Sequence, residues 1–183
     1  DIKFDPTQLV PKTLTVISVR LNYFPQKENT LEILQDKNRA YISRYTLGRD
    51  YHKVIRGKLK KLTQRLKEEI KDISFDSRVF TDSAPVLEVE LAEKAGLGWR
   101  GKHTLLLNKE NGSWFFLGEI YTTLPLVIDK KKSNHCGTCS ACIDICPTKA
   151  IIAPYKLDAN KCISYLTIEF KGSIPIEYRK PIG

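Results

Sequence analysis

The stretch Cys136-Gly-Thr-Cys139-Ser-Ala-Cys142-Ile-Asp-Ile-Cys146-Pro147 carries the strongest structural signal in this chain of 183 residues. Its spacing, C-x2-C-x2-C-x3-C-P, is typical of thiolate ligands to [4Fe–4S] clusters. Three closely spaced thiolates bind one cubane in this arrangement, and the fourth, placed before a proline, reaches a second cubane. The stretch therefore predicts an iron–sulfur segment with an electron-transfer role.

Other interpretations of the cysteines are possible on spacing alone. Cys136, Cys139 and Cys142, with His135 or Cys146, also supply four ligands for a tetrahedral zinc site. The C-P ending has no role in a zinc site and favours clusters. Disulfides are disfavoured because five cysteines is an odd number and no secretory leader precedes them.

The chain is strongly basic, with a formal net charge of +9 and a pI of about 9.3. A basic surface favours a polyanionic partner, with nucleic acid as the leading candidate, although a merely solvated basic surface explains the charge equally well. No apolar run approaches the roughly 20 residues that cross a bilayer. We therefore expect a cytoplasmic protein with no role at a membrane.

Hydrophobic periodicity predicts alternating strands and helices, as in an α+β protein. A helix after Asp50 is indicated by apolar residues at steps of three and four. Its predicted buried stripe comprises Ile55, Leu59, Leu62, Leu66 and Ile70. The other predicted elements are a strand at 13–22, a strand at 77–81, a helix that starts at 82–85 and ends at Gly96, and a hairpin of 104–107 with 113–121.

The charged stretch 129–134 precedes the first cysteine and predicts a domain boundary there. After it, a short helix is expected at Ser140–Ile145. Asp158 is expected to cap a second helix that carries Cys162, Leu166 and Phe170.

Five strings, in chain order, resemble the epoxyqueuosine reductase family, cobalamin-dependent iron–sulfur enzymes of the last step of queuosine synthesis in tRNA. One of them is the cysteine stretch itself, continued as CPTKAI. The others are GRDYHKVIRGKL from Gly48, DSAPVLEVELAEKAGLGWRGKHTLLLN from Asp82, GSWFFLGEI from Gly112 and APYKLDANKCISYLTIEFKGSIP from Ala153.

The resemblance implies an α+β architecture in which a nitroreductase-like cobalamin-binding domain, residues 1–128, precedes a ferredoxin-like [4Fe–4S] domain. Residues 129–183 would be the first part of that second domain. Compared with the family, the chain lacks an N-terminal segment and a second cysteine motif. We therefore expect a fragment that is inactive by itself.

The resemblance also implies a ligand set for two clusters. Cys136, Cys139 and Cys142 would bind the cluster near the corrin, whose fourth ligand lies in the missing motif. Cys146 and Cys162 would bind the other cluster. Without the resemblance, Cys162 is more simply a small buried apolar residue on a helix.

Asp82 matches the family's proton donor for epoxide reduction. Protonation of a poor leaving group typically contributes about 10²–10⁴-fold in rate. Local sequence offers a second role, because an aspartate before a predicted helix is also a good N-cap. The resemblance gives Asp50 and His52 a positioning role, and it implies that residues 98–102 with Gly112 and Ser113 frame the corrin. It implies cobalamin contacts from Ser43, Asp82, Leu106 and Asn108.

The implied partners are a tRNA that carries epoxyqueuosine and an electron donor of unspecified identity. Lys161, Lys171 and the run 130–132 flank the cluster segment and are the expected tRNA contacts. Two other functions fit parts of the sequence. A ferredoxin-type electron carrier needs only the cysteines, and a corrinoid reductive dehalogenase also pairs a corrin with two clusters.

Overall fold

The computed structural model describes residues 5–23 and 30–182. Its largest sheet has three antiparallel strands in the order β1, β5, β2, with β5 in the centre. These strands are β1 (Thr15–Asn22), β2 (Ser77–Phe80) and β5 (Phe115–Thr122). Ile120 of β5 lies opposite Ile17 of β1 and Val79 of β2, so one register aligns apolar side chains across the sheet.

The long helix α3 (Tyr51–Glu69) covers one face of this sheet. Ile55 and Leu59 pack against Ile120 and form a buried cluster with neighbouring apolar side chains. This confirms most of the predicted helical stripe. Leu62 departs from it, since it is 38% exposed while Thr63 is buried and donates to the carbonyl of Leu59.

The short helix α4 (Glu88–Lys94) lies on the opposite face of the sheet. Ala92 packs there against Leu106 and Phe115. The sheet is thus enclosed between two helical layers, and the segment from β2 to α4 leads from the edge of the sheet to the face opposite α3. The mixture of helices and antiparallel strands confirms the α+β class.

The predicted hairpin of 104–107 with 113–121 is wrong. The strand β4 (Leu106–Leu107) pairs with β3 (Trp99–Arg100), and β5 pairs with β1 and β2. Only one isolated bridge, between Asn108 and Gly112, joins the two predicted hairpin arms in the described part of the chain. The local turn signal was correct, but strands distant in sequence offered β5 two partners with matching apolar residues.

The predicted helix start at 82–85 is also wrong. Residues 82–85 form an irregular turn, and α4 begins only at Glu88 with Leu87 at its N-cap position. Asp82 therefore does not cap a helix. The predicted end is correct to within two residues, since α4 stops at Lys94 and Gly96 has a left-handed φ of 72°.

The cysteine segment folds as α5 (Ala141–Ile145), a two-stranded ribbon and short helical turns. The ribbon pairs β6 (Ile151–Ala153) with β7 (Lys156–Leu157). Asp158 caps a 3-10 turn (Ala159–Lys161), as predicted for the cap, and a π-helical turn (Tyr165–Glu169) follows. Cys162 lies between these turns and not within one continuous helix, as had been expected.

The remaining elements are short and peripheral. They are α1 (Pro6–Leu9), α2 (Thr30–Gln35), a 3-10 turn (Arg44–Thr46) and α6 (Ile176–Ile182). None of the helices in residues 5–23 and 30–182 combines the length and apolar character needed to cross a bilayer.

Candidate active site and cluster segment

Asp82 lies two residues after β2, in a left-handed backbone conformation with φ of 51°. This conformation is uncommon for residues other than glycine, although aspartate tolerates it better than most. Thr81 anchors the turn, because its hydroxyl is buried and donates to the carbonyl of Leu117 at 2.8 Å. The Asp82 side chain remains 54% exposed and points to neighbours on α3.

Two side chains at the start of α3 hold the Asp82 carboxylate. The hydroxyl of Tyr51 donates to Oδ2 of Asp82, and Nε2 of His52 lies 3.0 Å from the same oxygen. Nδ1 of His52 lies 3.0 Å from Oδ1 of Asp50, which also accepts the backbone N–H of His52 as the N-cap of α3. Asp50, His52 and Asp82 therefore form one chain of polar contacts.

The polar contacts among Asp50, His52 and Asp82 limit where protons can lie. Both ring nitrogens of His52 face carboxylate oxygens, but a neutral imidazole carries only one N–H. A second proton must lie on the ring or on a carboxyl for both contacts to be hydrogen bonds. The hydrogen bond from His52 is the main reason why the pKa of Asp50 is lowered. Burial, reinforced by the Asp82 charge, raises the pKa of Tyr51, which therefore stays a donor.

Asp82 faces a cavity of 420 Å³ between α3, the sheet and the cysteine segment. Leu106 and Ser113, both expected near the corrin, line the same cavity. Ser43 instead starts the 3-10 turn, where its carbonyl accepts the N–H of Thr46 at 3.0 Å. Asn108 lines a different cavity, of 510 Å³, together with Arg20 and Trp99. The structure thus brings together only part of the set expected for cobalamin.

Aromatic rings form one wall of the Asp82 cavity. The Tyr51 and Phe116 rings stack with centroids 4.2 Å apart, and Tyr23 lies 4.5 Å from Phe116. Sequence analysis missed this wall, although the two phenylalanines of the GSWFFLGEI string were its visible signal. Leu105 and Ile168 line the rim and are 55% and 59% exposed. The cavity thus combines a flat aromatic wall with polar groups such as those of Asp82, Glu88 and Ser164, a lining that suits a conjugated ligand with polar edges.

The cysteine segment contributes directly to this cavity. Ser164 and Ile168 line it from the π-helical turn that follows Cys162. The cysteine segment is also attached to the rest of the fold through Lys102, whose ammonium donates to the carbonyls of Gly137 and Cys139, each at 2.8 Å. A ligand in the cavity would therefore lie beside the residues that follow Cys162.

All five cysteines are free thiols. The backbone N–H of Ala150 donates to Sγ of Cys146 at 3.3 Å, as in proteins that hold anionic sulfur. Although burial opposes it, hydrogen bonds from the backbone of Ile151 and Ala150 lower the pKa of Cys146. In residues 5–23 and 30–182, no group of three or more His, Cys, Asp or Glu side chains is arranged around one metal ion. Soft thiols with this spacing nevertheless fit the donor chemistry of iron–sulfur clusters.

The lysines expected at a tRNA surface differ in their surroundings. Lys161 pairs with Asp158 at 3.6 Å, and Lys131 pairs with Glu93 at 2.9 Å. Lys171 is exposed beyond the π-helical turn. Part of the positive charge near the cysteines is therefore already compensated within the fold.

Two family models match the chain. Residues 3–83 match a family described as "Epoxyqueuosine reductase QueG, DUF1730". Residues 135–183 match a "4Fe-4S double cluster binding domain". The second match covers all five cysteines.

Curated relatives match nearly the whole chain. An epoxyqueuosine reductase of Xanthomonas campestris is 57% identical over all of this chain and 51% of its own length. Those of Vibrio cholerae and Escherichia coli K12 are 54% and 53% identical over 97% of this chain, and over 48% and 46% of their own lengths. The chain thus spans about half the length of these relatives.

Solved structures of epoxyqueuosine reductases also match nearly the whole chain. A crystal structure of epoxyqueuosine reductase with an epoxyqueuosine-modified tRNA-Tyr stem loop superposes with a TM-score of 0.86 at 33% identity, over 97% of this chain and 46% of that one. A Bacillus subtilis epoxyqueuosine reductase, with its catalytic aspartate loop swung out of the active site, has a TM-score of 0.77 at 32% identity, over 97% and 46%.

Proposed function

Because the chain belongs to the epoxyqueuosine reductase family, we propose that the full-length gene product carrying it reduces epoxyqueuosine to queuosine in tRNA. The observation that carries this proposal is the Asp82 carboxylate, held by Tyr51 and His52 inside a cavity that the cysteine segment helps to form. The protein is then a cytoplasmic oxidoreductase whose site joins a proton donor to an electron supply.

The lining of the cavity supports cobalamin as its ligand. The aromatic wall offers a flat apolar surface, and exposed Leu105 and Ile168 offer a rim that a corrin would cover. When bound, cobalamin supplies the electron pair that opens the epoxide, and the clusters supply its electrons singly. We propose Ser43, Asp82, Leu106 and Asn108 as its contacts, with Asp82 and Leu106 supported by their place in the cavity.

Asp82 protonates the oxygen that leaves the epoxide. An alkoxide leaves poorly, so a positioned acid lowers the barrier, typically by about 10²–10⁴-fold in rate. Tyr51 and His52 both contact Oδ2 of this carboxylate, which fixes its orientation and leaves Oδ1 free of both contacts. Asp50 fixes the imidazole in turn, so both Asp50 and His52 are positioning residues.

The five cysteines hold the clusters. Cys136, Cys139 and Cys142 serve one cluster, and Cys146 and Cys162 serve the other. The position of Ser164 in the cavity wall, two residues after Cys162, supports a short path from the clusters to the substrate. The reductant that delivers electrons to them is a separate partner.

The tRNA is bound through positive charge around the cysteine segment. Lys161, Lys171 and the run 130–132 supply this charge, since lysines that contact phosphates release condensed counterions. A similar protein has been solved with an epoxyqueuosine-modified tRNA stem loop, which supports the same substrate here.

The full-length gene product, prepared without oxygen, tests the proposal. With cobalamin, a low-potential reductant and epoxyqueuosine-modified tRNA, it should convert the modified nucleoside to queuosine, as read by mass spectrometry of digested tRNA. Reduced clusters without cobalamin binding would support a ferredoxin-type carrier instead. Halide release from an organohalide, with no change in tRNA, would support a dehalogenase.

A further inference from the structure

The loop between β3 and β4, residues 101–105, carries a lysine that contacts the cysteine segment. The half-buried Lys102 donates from its ammonium to the carbonyls of Gly137 and Cys139, each at 2.8 Å. Both acceptors belong to the turn 136–139, which the N–H of Cys139 closes by donating to the carbonyl of Cys136 at 2.9 Å. A cation therefore lies against the backbone that carries two of the expected cluster ligands.

The loop that presents Lys102 is itself closed by backbone hydrogen bonds. The N–H of Gly101 donates to the carbonyl of Leu105 at 2.8 Å, and the N–H of Thr104 donates to the carbonyl of Gly101 at 2.9 Å. Thr104 has a left-handed φ of 76° within this loop. Leu105 also lines the Asp82 cavity. One short, well-defined loop thus contacts both the cavity and the first two cysteines.

A second series of contacts leads from the backbone of Lys102 to the same turn. The carbonyl of Lys102 accepts the N–H of Tyr155, at the turn of the β6–β7 ribbon, at 2.9 Å. The Tyr155 hydroxyl accepts from Nδ2 of Asn134 at 3.0 Å, and Oδ1 of Asn134 accepts the N–H of Cys136 at 2.8 Å. The turn 136–139 is therefore held both at its start and along its length.

The charge of Lys102 is not compensated by a carboxylate. Lys131 and Lys161 pair with Glu93 and Asp158, whereas the contacts of the Lys102 ammonium in residues 5–23 and 30–182 are the two carbonyls. Thiolate ligands make a bound cluster anionic, and reduction adds one more negative charge. A nearby cation favours the more negative state, and cluster potentials depend on the charges around them. Lys102 is placed to favour the reduced cluster.

We propose that Lys102 is a positioning residue of the electron path: its contacts hold the turn 136–139, and its charge raises the reduction potential of the cluster bound there. This inference rests on the proposed function, because it requires a cluster at Cys136, Cys139 and Cys142. In each step the cluster gains one electron from the external reductant and passes it on. Lys102 neither gains nor loses a proton or an electron, and its charge sets the share of protein whose cluster is reduced.

A redox titration followed by electron paramagnetic resonance tests the effect of the charge on the full-length gene product, prepared without oxygen. Lys102→Gln keeps a donor but removes the charge, and it should shift the reduction equilibrium of one cluster about tenfold toward the oxidised state, about 59 mV for a one-electron couple. Lys102→Arg keeps the charge and should stay near the wild-type potential. Lys58→Gln, on the exposed face of α3, is the matched control and should change nothing. A wild-type potential in Lys102→Gln would overturn the effect of the charge.

Hydrogen exchange of the metal-free, full-length protein tests whether Lys102 holds the turn. Peptides that cover 134–142 should exchange faster in Lys102→Gln than in the wild type or Lys58→Gln, and peptides from α3 should exchange equally in all three. Equal exchange across 134–142 would overturn the positioning role. If Lys102→Gln binds no iron, Lys102→Arg carries the test of the charge, and an arginine variant whose potential differs tenfold from wild type would contradict it.

The failure of this inference and the failure of the proposed function are distinguishable. Clusters of equal potential in wild type and Lys102→Gln, in a protein that still forms queuosine, would overturn the role of Lys102 and leave the proposed function standing. A shifted potential in Lys102→Gln, when the wild type leaves modified tRNA unchanged, would support the role of Lys102 and contradict the proposed function. A wild-type protein that binds no cluster would contradict both.

Discussion

At the scale of single residues, Asp82 shows how a backbone conformation prepares a side chain for chemistry. A left-handed residue between β2 and α4 turns its carboxylate away from the helix, where it would have been a cap, and toward Tyr51 and His52. Such conformations cost of order 1–3 kcal/mol and persist where surrounding contacts determine them. Here the contacts are the Thr81 hydroxyl and the Glu88 carboxylate.

Asp82→Asn removes the acidic proton but keeps the size of the side chain. We expect the full-length protein to retain cobalamin and clusters and to lose about 10²–10⁴-fold in epoxide turnover, the usual contribution of a general acid. Single-turnover conversion of modified tRNA under anaerobic conditions measures this loss. Asp72→Asn, at an exposed position after α3, is the control and should be fully active. A wild-type rate in Asp82→Asn would remove the acid role.

Glu119 on the central strand β5 is fully buried, and its burial predicts that the free energy of unfolding depends on pH. Its pKa is about 9 in the folded protein and close to 4.5 when unfolded, so the folded state binds the additional proton between these values. This stabilisation is fully present below pH 4.5 and is lost as the pH rises to about 9, with a slope of up to about 1.4 kcal/mol per pH unit.

Glu119→Gln should remove this part of the slope. Urea unfolding of both proteins across the same pH range measures it as the difference between wild type and variant, which cancels the other carboxylates. The difference should move in favour of the variant as the pH rises. A constant difference across the range would show that Glu119 does not take up the proton on folding.

At the scale of elements, the contact between α3 and β5 depends on glycine at position 118, which has no side chain to separate them. A Cβ at Gly118 would lie 2.9 Å from Cγ2 of Ile55 and 3.1 Å from Cδ1 of Leu59, which is closer than packed atoms allow. Glycine at this point lets the helix approach the sheet and brings Tyr51 and His52, at its first turn, close to Asp82. Packing of one element thereby sets the geometry of the site.

Gly118→Ala should therefore destabilise the fold by about 1–3 kcal/mol, as overpacking of a dense core usually does. Gly57→Ala is the matched control, because Gly57 lies within the same helix with nothing within 4 Å of the added Cβ. That change should stabilise by about 0.5–1 kcal/mol through helix propensity. Apparent melting temperatures should move in opposite directions, and equal shifts would contradict this account of the contact.

At the scale of the whole molecule, the cysteine segment packs closely onto the rest of the fold. Lys131 pairs with Glu93 of α4, the His135 and Trp99 rings contact each other, and Lys102 holds the loop of the first two cysteines. The domain boundary at 128/129 stays a prediction from composition. These contacts show that the residues after it rest on α4 and β3.

The same arrangement predicts how tRNA affinity responds to salt. Replacing Lys130, Lys131 and Lys132 by glutamine should weaken tRNA binding and flatten its salt dependence, by about 0.7–0.9 in slope per lost phosphate contact. We expect a change equivalent to two contacts, since Lys131 already pairs with Glu93. Filter binding at several salt concentrations measures the slope, and cobalamin binding should be unchanged.

A variant of equal charge provides the control. Glutamine at Lys58, Lys60 and Lys61 removes three positive charges from the exposed face of α3. If the run at 130–132 contacts the tRNA, its replacement should lower tRNA affinity and the salt slope more than replacement of the α3 lysines does. The same slope change in both variants would show that overall charge, and not these positions, governs affinity.

The sequence by itself determined the features that depend on residues close together along the chain. The cysteine spacing, the stripe of α3 and the β1 and β2 strands follow from periods and intervals within a few residues, and the structure bears out the helix and both strands. Helix ends and caps were not determined in this way, because Asp82 and Asp50 look alike in sequence as capping residues. Of these two aspartates, only Asp50 caps a helix.

Only the tertiary structure decided which distant groups meet. Four features depend on residues 30 or more positions apart, whose pairing is set by how whole elements pack. They are the strand partners of β5, the aromatic wall, the contacts of α3 with Asp82 and the burial of Glu119. A glutamate in a strand normally signals a solvent-facing position, and it was hidden here because two helical layers enclose both faces of one small sheet. Charge burial of this kind is a property of the assembled core, and no local pattern encodes it.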